Sequence, residues 1–232
     1  MTIRKRSAAL VATLVLATVL GGCASDSDIM PIAAAALYPR PGDTRYAALS
    51  DGAYVVPAVA ASDLKQRYMR QLVDDPTGQP PGTVVVDPKN RFLYLVREGG
   101  KALRYGVGVG KAGMAWSGRA EVEMKREWPR WTPTEGMMAR EPEKYRKWAK
   151  GMDGGTGNPL GARALYLFKD GKDTLYRIHG TNEPWSIGQA MSSGCIRMMN
   201  QDVIDLYRRV PTGAKVLVLP ATGTDSAAAV AR

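Results

Sequence analysis

The chain has 232 residues, with 32 Lys and Arg against 22 Asp and Glu for a formal net charge of +10, two cysteines and one histidine. That length fits one domain with substantial extensions, at the usual ~100 to 200 residues per domain. One histidine is too few for an ordinary zinc site, no Gly-Lys-Ser/Thr phosphate loop occurs, and no loop has the regular acidic spacing of a calcium site.

The first 22 residues read as a lipoprotein signal peptide. Arg4, Lys5 and Arg6 precede an apolar run from Ala8 to Leu20, and Leu20-Gly21-Gly22-Cys23 completes a lipobox. The run is shorter than the roughly 20 apolar residues of a spanning helix. Cys23 is therefore the expected lipidation site. Ala24 follows it where an aspartate would argue for inner-membrane retention, which favours a periplasmic protein anchored to the outer membrane of a Gram-negative cell. Loss of Arg4, Lys5 and Arg6 lowers the net charge from +10 to +7, a balance suited to anionic lipid or wall polymer. Export excludes nucleic acid as the partner. With Cys23 lipidated, Cys195 has no partner for an internal disulfide.

Residues 23 to 81 read as a lipid-anchored tether with one short helix. The segment from 24 to about 60 is rich in Ala, Pro, Ser and Asp. Leu64, Tyr68 and Leu72 then recur every four residues and predict an amphipathic helix over Asp63 to Val73, capped by Ser62. The Pro- and Gly-rich run from Asp75 to Gly82 ends it and marks a domain boundary. Beyond Gly82 the pattern is that of strands, at Thr83 to Val86, Phe92 to Val96, Leu103 to Val109, Ala120 to Lys125, Ala164 to Phe168, Leu175 to His179 and Lys215 to Leu219. Asp170-Gly171-Lys172-Asp173 turns between two of them. A helix is predicted from Gln201 to Arg209, with Asn200 as its cap. The expected class is mainly β with minor α, occupying 82 to 220, followed by a disordered tail at 221 to 232.

Between 126 and 151 lies an aromatic, proline-broken insertion with a charged helical stretch from Pro142 to Lys150. Two readings stand: a substrate lid, with Trp128 and Trp131 contacting substrate, or a packing cluster in which Trp128, Trp131 and Trp148 cover the sheet edge. The glycine-rich segment 151 to 161 is either its hinge or a plain loop.

Cys195 and His179 are the sole thiol and imidazole of the mature chain. A lone cysteine is commonly a small buried hydrophobe and a lone histidine a core donor. Together, in an exported chain, they point to a nucleophile and its base. His179 ends a predicted strand and Cys195 precedes a helix, so both fall at one rim of a sheet. The amides of the Ser193-Gly194-Cys195 turn are suited to an oxyanion, although a plain glycine turn would look the same. Arg197, two residues on, either holds a substrate carboxylate or braces the loop.

The motifs His179-Gly180-Thr181-Asn182-Glu183-Pro184, Ile187-Gly188 and Ser192-Ser193-Gly194-Cys195-Ile196-Arg197-Met198, then Asn200, Asp202 and Asp205-Leu206-Tyr207, resemble the signature of the L,D-transpeptidase (YkuD-domain) family. The resemblance covers about 82 to 220, including Val85-Val86-Asp87, Leu93-Tyr94-Leu95 and Asn158-Pro159-Leu160-Gly161. It implies a β-sandwich-like domain of mixed sheets with the active site under a mobile capping loop. It further implies Cys195 as nucleophile, His179 as base and later acid, and the Gly180 carbonyl orienting the imidazole; Ser192 and Arg197 are the candidates for substrate contact beside them. Many members carry histidine where this chain has Ser193. The implied reaction is two-step acyl transfer on peptidoglycan stem peptides, to a stem amine or an envelope protein, by a monomer needing no cofactor. A hydrolase of the same fold and a non-catalytic wall-binding lipoprotein remain as rivals.

Overall fold

The computed structural model describes residues 43–111, 116–192 and 194–221. Cys23, the signal segment, Ser193 and residues 222–232 lie outside the described residues. The chain divides into units 1–31 and 32–232, and the described residues all belong to the second.

The strands are β1 (Leu49–Asp51), β2 (Tyr54–Val56), β3 (Gln71–Asp74), β4 (Val84–Asp87), β5 (Phe92–Arg97), β6 (Lys101–Gly106), β7 (Val109–Gly110), β8 (Gly118–Glu127), β9 (Arg163–Lys169), β10 (Lys172–His179), β11 (Ala190–Ser192), β12 (Ile196–Arg197) and β13 (Lys215–Val218). The helices are α1 (Glu135–Arg140), α2 (Pro142–Tyr145) and α3 (Asn200–Arg209). Nine strands form one mixed sheet in the order β12-β10-β9-β8-β13-β4-β5-β6-β3, beside the small pairs β1-β2 and β11-β7. Only β10–β12 and β13–β4 pair in parallel within the large sheet. The mostly-β class with mixed sheets and short helices is as expected, and each of the seven predicted strands is present.

Alternation along the strands explains the core. Val84, Val86, Leu93, Leu95, Leu103 and Tyr105 point to one side, where they meet Leu165, Leu167, Ile178 and Ile196 and the Val203–Leu206 face of α3. Val85, Phe92, Tyr94, Val96 and Ala102 fill the other side. The sheet also closes on itself. Just past β6, near one edge, Gly108 donates to the Arg197 carbonyl at 2.9 Å, and Arg197 N–H donates back at 2.8 Å from β12 at the opposite edge. This closure makes the sheet sandwich-like and brings loops from both ends to one rim. Between β9 and β10 the two-residue turn Asp170-Gly171 has positive φ at both positions, the geometry of a tight hairpin.

The tether reading fails from residue 43 onward. Tyr46, Val56 and Met69 are buried, each contributing roughly 1.5–3 kcal/mol of transfer energy, and β3 adds to the edge of β6. The predicted helix over Asp63 to Val73 is absent; a 3-10 turn at Gln66–Tyr68 leads into β3 instead. Leu64 and Tyr68 pack on one apolar cluster and Leu72 on another, so their spacing marks no single helical face. The open backbone groups of β6 outcompete the helix by pairing with Gln71–Asp74. A folded domain thus begins well before the boundary expected at Gly82.

Candidate active site

Parallel pairing of β10 and β12 sets Ile178 against Ile196 and His179 against Arg197. Ile178 and Ile196 turn into the core, so His179 and Arg197 turn outward, and Cys195, one residue before β12, shares that face with Arg177. Strand spacing and rise place Cys195 on the diagonal from His179, at about 8 Å between Cα atoms. The thiol and imidazole both line one cavity of about 660 Å³.

His179 is 4% exposed, and its Nδ1 lies 2.6 Å from the Gly180 carbonyl. Only an N–H can satisfy that carbonyl, which leaves Nε2 with a free lone pair. Burial is the main reason that His179 is lowered to about 4, assisted by Arg197 and Arg177 and opposed by the Gly180 carbonyl. Burial also pushes the Cys195 thiol up, while the Arg177 backbone N–H and the Arg177 and Arg197 charges pull it down. At neutral pH both partners are uncharged. Sγ lies 3.9 Å from the Leu175 carbonyl, and no hydrogen bond joins it to the ring among the described residues.

Leu175 owes its place to a bulge in β10. The register shifts between Asp173 and Arg177; Asp173 accepts from Leu175 N–H at 2.8 Å, and Thr174 Oγ1 donates to the Leu167 carbonyl at 2.6 Å. Leu175 thereby takes φ +63 and is 74% exposed at the cavity. Sequence reading saw only an apolar strand residue there.

The backbone behind His179 is held by Asn200. Its Oδ1 accepts from Ala162 N–H and its Nδ2 donates to the Thr181 carbonyl, both at 2.9 Å. A side chain at Gly180 or at Gly161 would come within 2.2 Å of that Oδ1, so both positions must be glycine for the clamp to close. The expected cap role is not what Asn200 performs: α3 begins at Asn200 itself, Met199 is its cap residue, and no side chain caps it. An asparagine before an amphipathic run reads as a cap, and nothing local reveals a clamp onto residues 19 and 38 positions away.

The other expected residues divide. Ser192 donates to the Cys195 carbonyl at 2.6 Å and accepts from Gly194 N–H at 3.2 Å, so it braces the turn from the cavity wall. The Gly194 amide, expected to face an oxyanion, is thus committed to Ser192. Arg197 lines the cavity and donates to Glu183 at 2.8 Å, which ties the loop after β10 to β12. Trp131, Tyr145 and Trp148 of the insertion line the cavity together with Met137 and Met152, so this segment forms part of the wall of the cavity that holds the thiol. Trp128 does not contact the cavity. Its ring packs 4.4 Å from that of Tyr54 and its Nε1 donates to Asp51 at 2.9 Å, because its positive φ turns it away from the cavity toward the N-terminal hairpin. The charged stretch from Pro142 is α2 and a 3-10 turn, and α1 was not anticipated. Among the described residues no three His, Cys, Asp or Glu side chains gather as a metal site.

A mostly-β domain of mixed sheets, with a thiol and a carbonyl-oriented imidazole lining one cavity beside an aromatic insertion, is the setting in which the family match falls. Residues 81–218 match the YkuD family, the L,D-transpeptidase catalytic domain, and the chain belongs to that family. Among curated relatives, the probable L,D-transpeptidase YbiS of Escherichia coli K12 is 32% identical over 139 residues, which cover 58% of this chain and 43% of YbiS. The chain spans under half the length of that relative. A solved Brucella melitensis structure, described as a probable carnitine operon oxidoreductase caia, is 54% identical and covers 67% of this chain and 96% of that one, with a TM-score of 0.47. An L,D-transpeptidase from Mycobacterium smegmatis is 17% identical over 60% of this chain and 58% of its own, with a TM-score of 0.43.

Proposed function

We propose that the protein is a peptidoglycan L,D-transpeptidase, exported, lipidated at Cys23 and held in the periplasm. The observation that carries this reading is Cys195 and His179 on one face of the parallel β10–β12 pair, with Nδ1 engaged by the Gly180 carbonyl and Nε2 left as base. In the first step Cys195 attacks the L-centre carbonyl of the third-position diamino acid of a tetrapeptide stem. His179 Nε2 takes the thiol proton as the S–C bond forms, and the carbonyl electrons move to oxygen. Collapse of that intermediate breaks the peptide bond, and the imidazolium returns its proton to the departing D-alanine amine. A thioester remains. An incoming amine then gives its proton to His179 while attacking the thioester, and the thiol leaves reprotonated, yielding a 3→3 crosslink or a protein joined to the wall.

The segment between β8 and β9 suits an extended peptide substrate, since its Trp131, Tyr145 and Trp148 supply apolar walls and its Lys147 a cation for a carboxylate. Incubating the protein with a disaccharide tetrapeptide and resolving products by mass spectrometry tests the proposal. Crosslinked dimer with loss of D-alanine is expected, and Cys195→Ala abolishes it. Tripeptide without dimer would instead make the protein a hydrolase of this fold, and absence of both products, together with no carbapenem adduct on Cys195, would leave a wall-binding lipoprotein.

A further inference from the structure

The hairpin β1–β2 lies outside the region matched to the family, yet it meets the catalytic fold at the neck of the insertion that lines the cavity of Cys195. The neck is closed by reciprocal bonds, Trp131 N–H to Met152 O at 2.9 Å and Met152 N–H to Trp131 O at 2.7 Å. Buried Asn158 adds to it, its Nδ2 donating to the Pro129 and Asp153 carbonyls, both at 3.0 Å. From the hairpin, Tyr54 Oη donates to the Gly154 carbonyl at 2.9 Å while its ring packs on Trp128. Asp51 accepts from Trp128 Nε1 and takes a two-pronged bond from Arg163 of β9, at 2.6 and 2.7 Å. Contact is tight, since a side chain at Gly154 would fall 2.0 Å from the Trp128 carbonyl. Tyr54 and Asp51 thus connect the sheet to one side of the neck, and Trp131 and Met152 line the cavity shared with Cys195.

We infer that the N-terminal hairpin is a positioning element for the substrate lid, with Tyr54 and Asp51 as its positioning residues. The segment between the export signal and the family domain is then part of the substrate-binding apparatus of this chain. The role in substrate binding rests on the function proposed above; the mechanical link between hairpin and neck does not. Removing the Tyr54 hydroxyl frees the Gly154 carbonyl and loosens the neck without touching any cavity-lining group.

Amide hydrogen exchange of the full chain, read by mass spectrometry alongside tetrapeptide turnover, tests the inference. In Tyr54→Phe, exchange at the neck amides of Trp131, Met152 and Asn158 should quicken roughly fivefold, the loss of one ordinary hydrogen bond. KM should rise by a similar factor with kcat changed less than twofold, and exchange in β4 and β5 should stay as in the wild type. Asp51→Asn should act in the same direction, and Val55→Ala, on the same hairpin but 59% exposed, should match the wild type. Unchanged neck exchange in both Tyr54→Phe and Asp51→Asn would overturn the inference, as would equal acceleration in β4 and β5, which would mean global loosening. If the wild type turns over no tetrapeptide, the proposed function falls and the exchange pattern alone still decides the coupling.

Discussion

Alkylation of Cys195 by iodoacetamide should rise about tenfold per pH unit from pH 5 upward, with no plateau near neutrality. The thiolate is the reacting form, and burial makes it scarce. A resting thiolate–imidazolium pair would require the thiol to ionise before the imidazolium does. Here the order is reversed: His179 is lowered to about 4, whereas the thiol is pushed up from an ordinary ~8.5. Moving the proton from Sγ to Nε2 in the resting site is therefore uphill. In the proposed reaction proton transfer would then accompany attack on the carbonyl, with the ring fixed by the Gly180 carbonyl rather than by a preformed ion pair. The assay is the second-order alkylation rate of wild type and His179→Gln between pH 5 and 9. Parallel rising lines are expected. A wild-type rate that is flat from pH 5 to 8 and collapses in His179→Gln would refute the neutral-pair reasoning.

The same burial has a stability consequence. The unfolded imidazole takes a proton near 6.5 that the folded one refuses until about 4, so this group removes up to about 3 kcal/mol of stability as pH falls through that window. Asp202 opposes it: burial raises it to about 7 against Arg70 and Tyr46, so the folded state takes up its proton first and gains stability as pH falls from 7 toward 4. Urea unfolding of the wild type should therefore change little between pH 4.5 and 6.5, and Asp202→Asn should expose a steady loss toward acid. Asn200→Ala should cost about 3 kcal/mol by stranding the Ala162 amide and Thr181 carbonyl, with more than tenfold lower turnover; a stable, fully active variant would discount the clamp. Gly180→Ala, whose Cβ would lie 2.2 Å from Asn200 Oδ1, should show a similar joint loss in melting temperature and rate. Leu175→Asn should raise unfolding stability by up to about 1 kcal/mol, since asparagine tolerates the left-handed backbone that leucine occupies at φ +63; a lower stability would mean that the Leu175 side chain packs.

Local chemistry was enough for the strands of the catalytic domain, the Asp170-Gly171 turn, the helix after Asn200 and the one thiol and one imidazole, because alternation, turn residues and scarcity are written along the chain itself. The site's partners were not so written. Whether Trp128 or Trp131 lines the cavity is settled by a hairpin 77 positions away that captures the Trp128 indole. The strand at Gln71–Asp74 replaced a predicted helix because β6 offered an open edge, and Asn200 left its cap position because Ala162 and Thr181 needed a polar bridge. The sequence by itself determined the repertoire of elements and the two reactive side chains. Only the tertiary structure decided how they are held, because unsatisfied backbone edges, buried carbonyls and close glycine contacts exist only once distant segments meet.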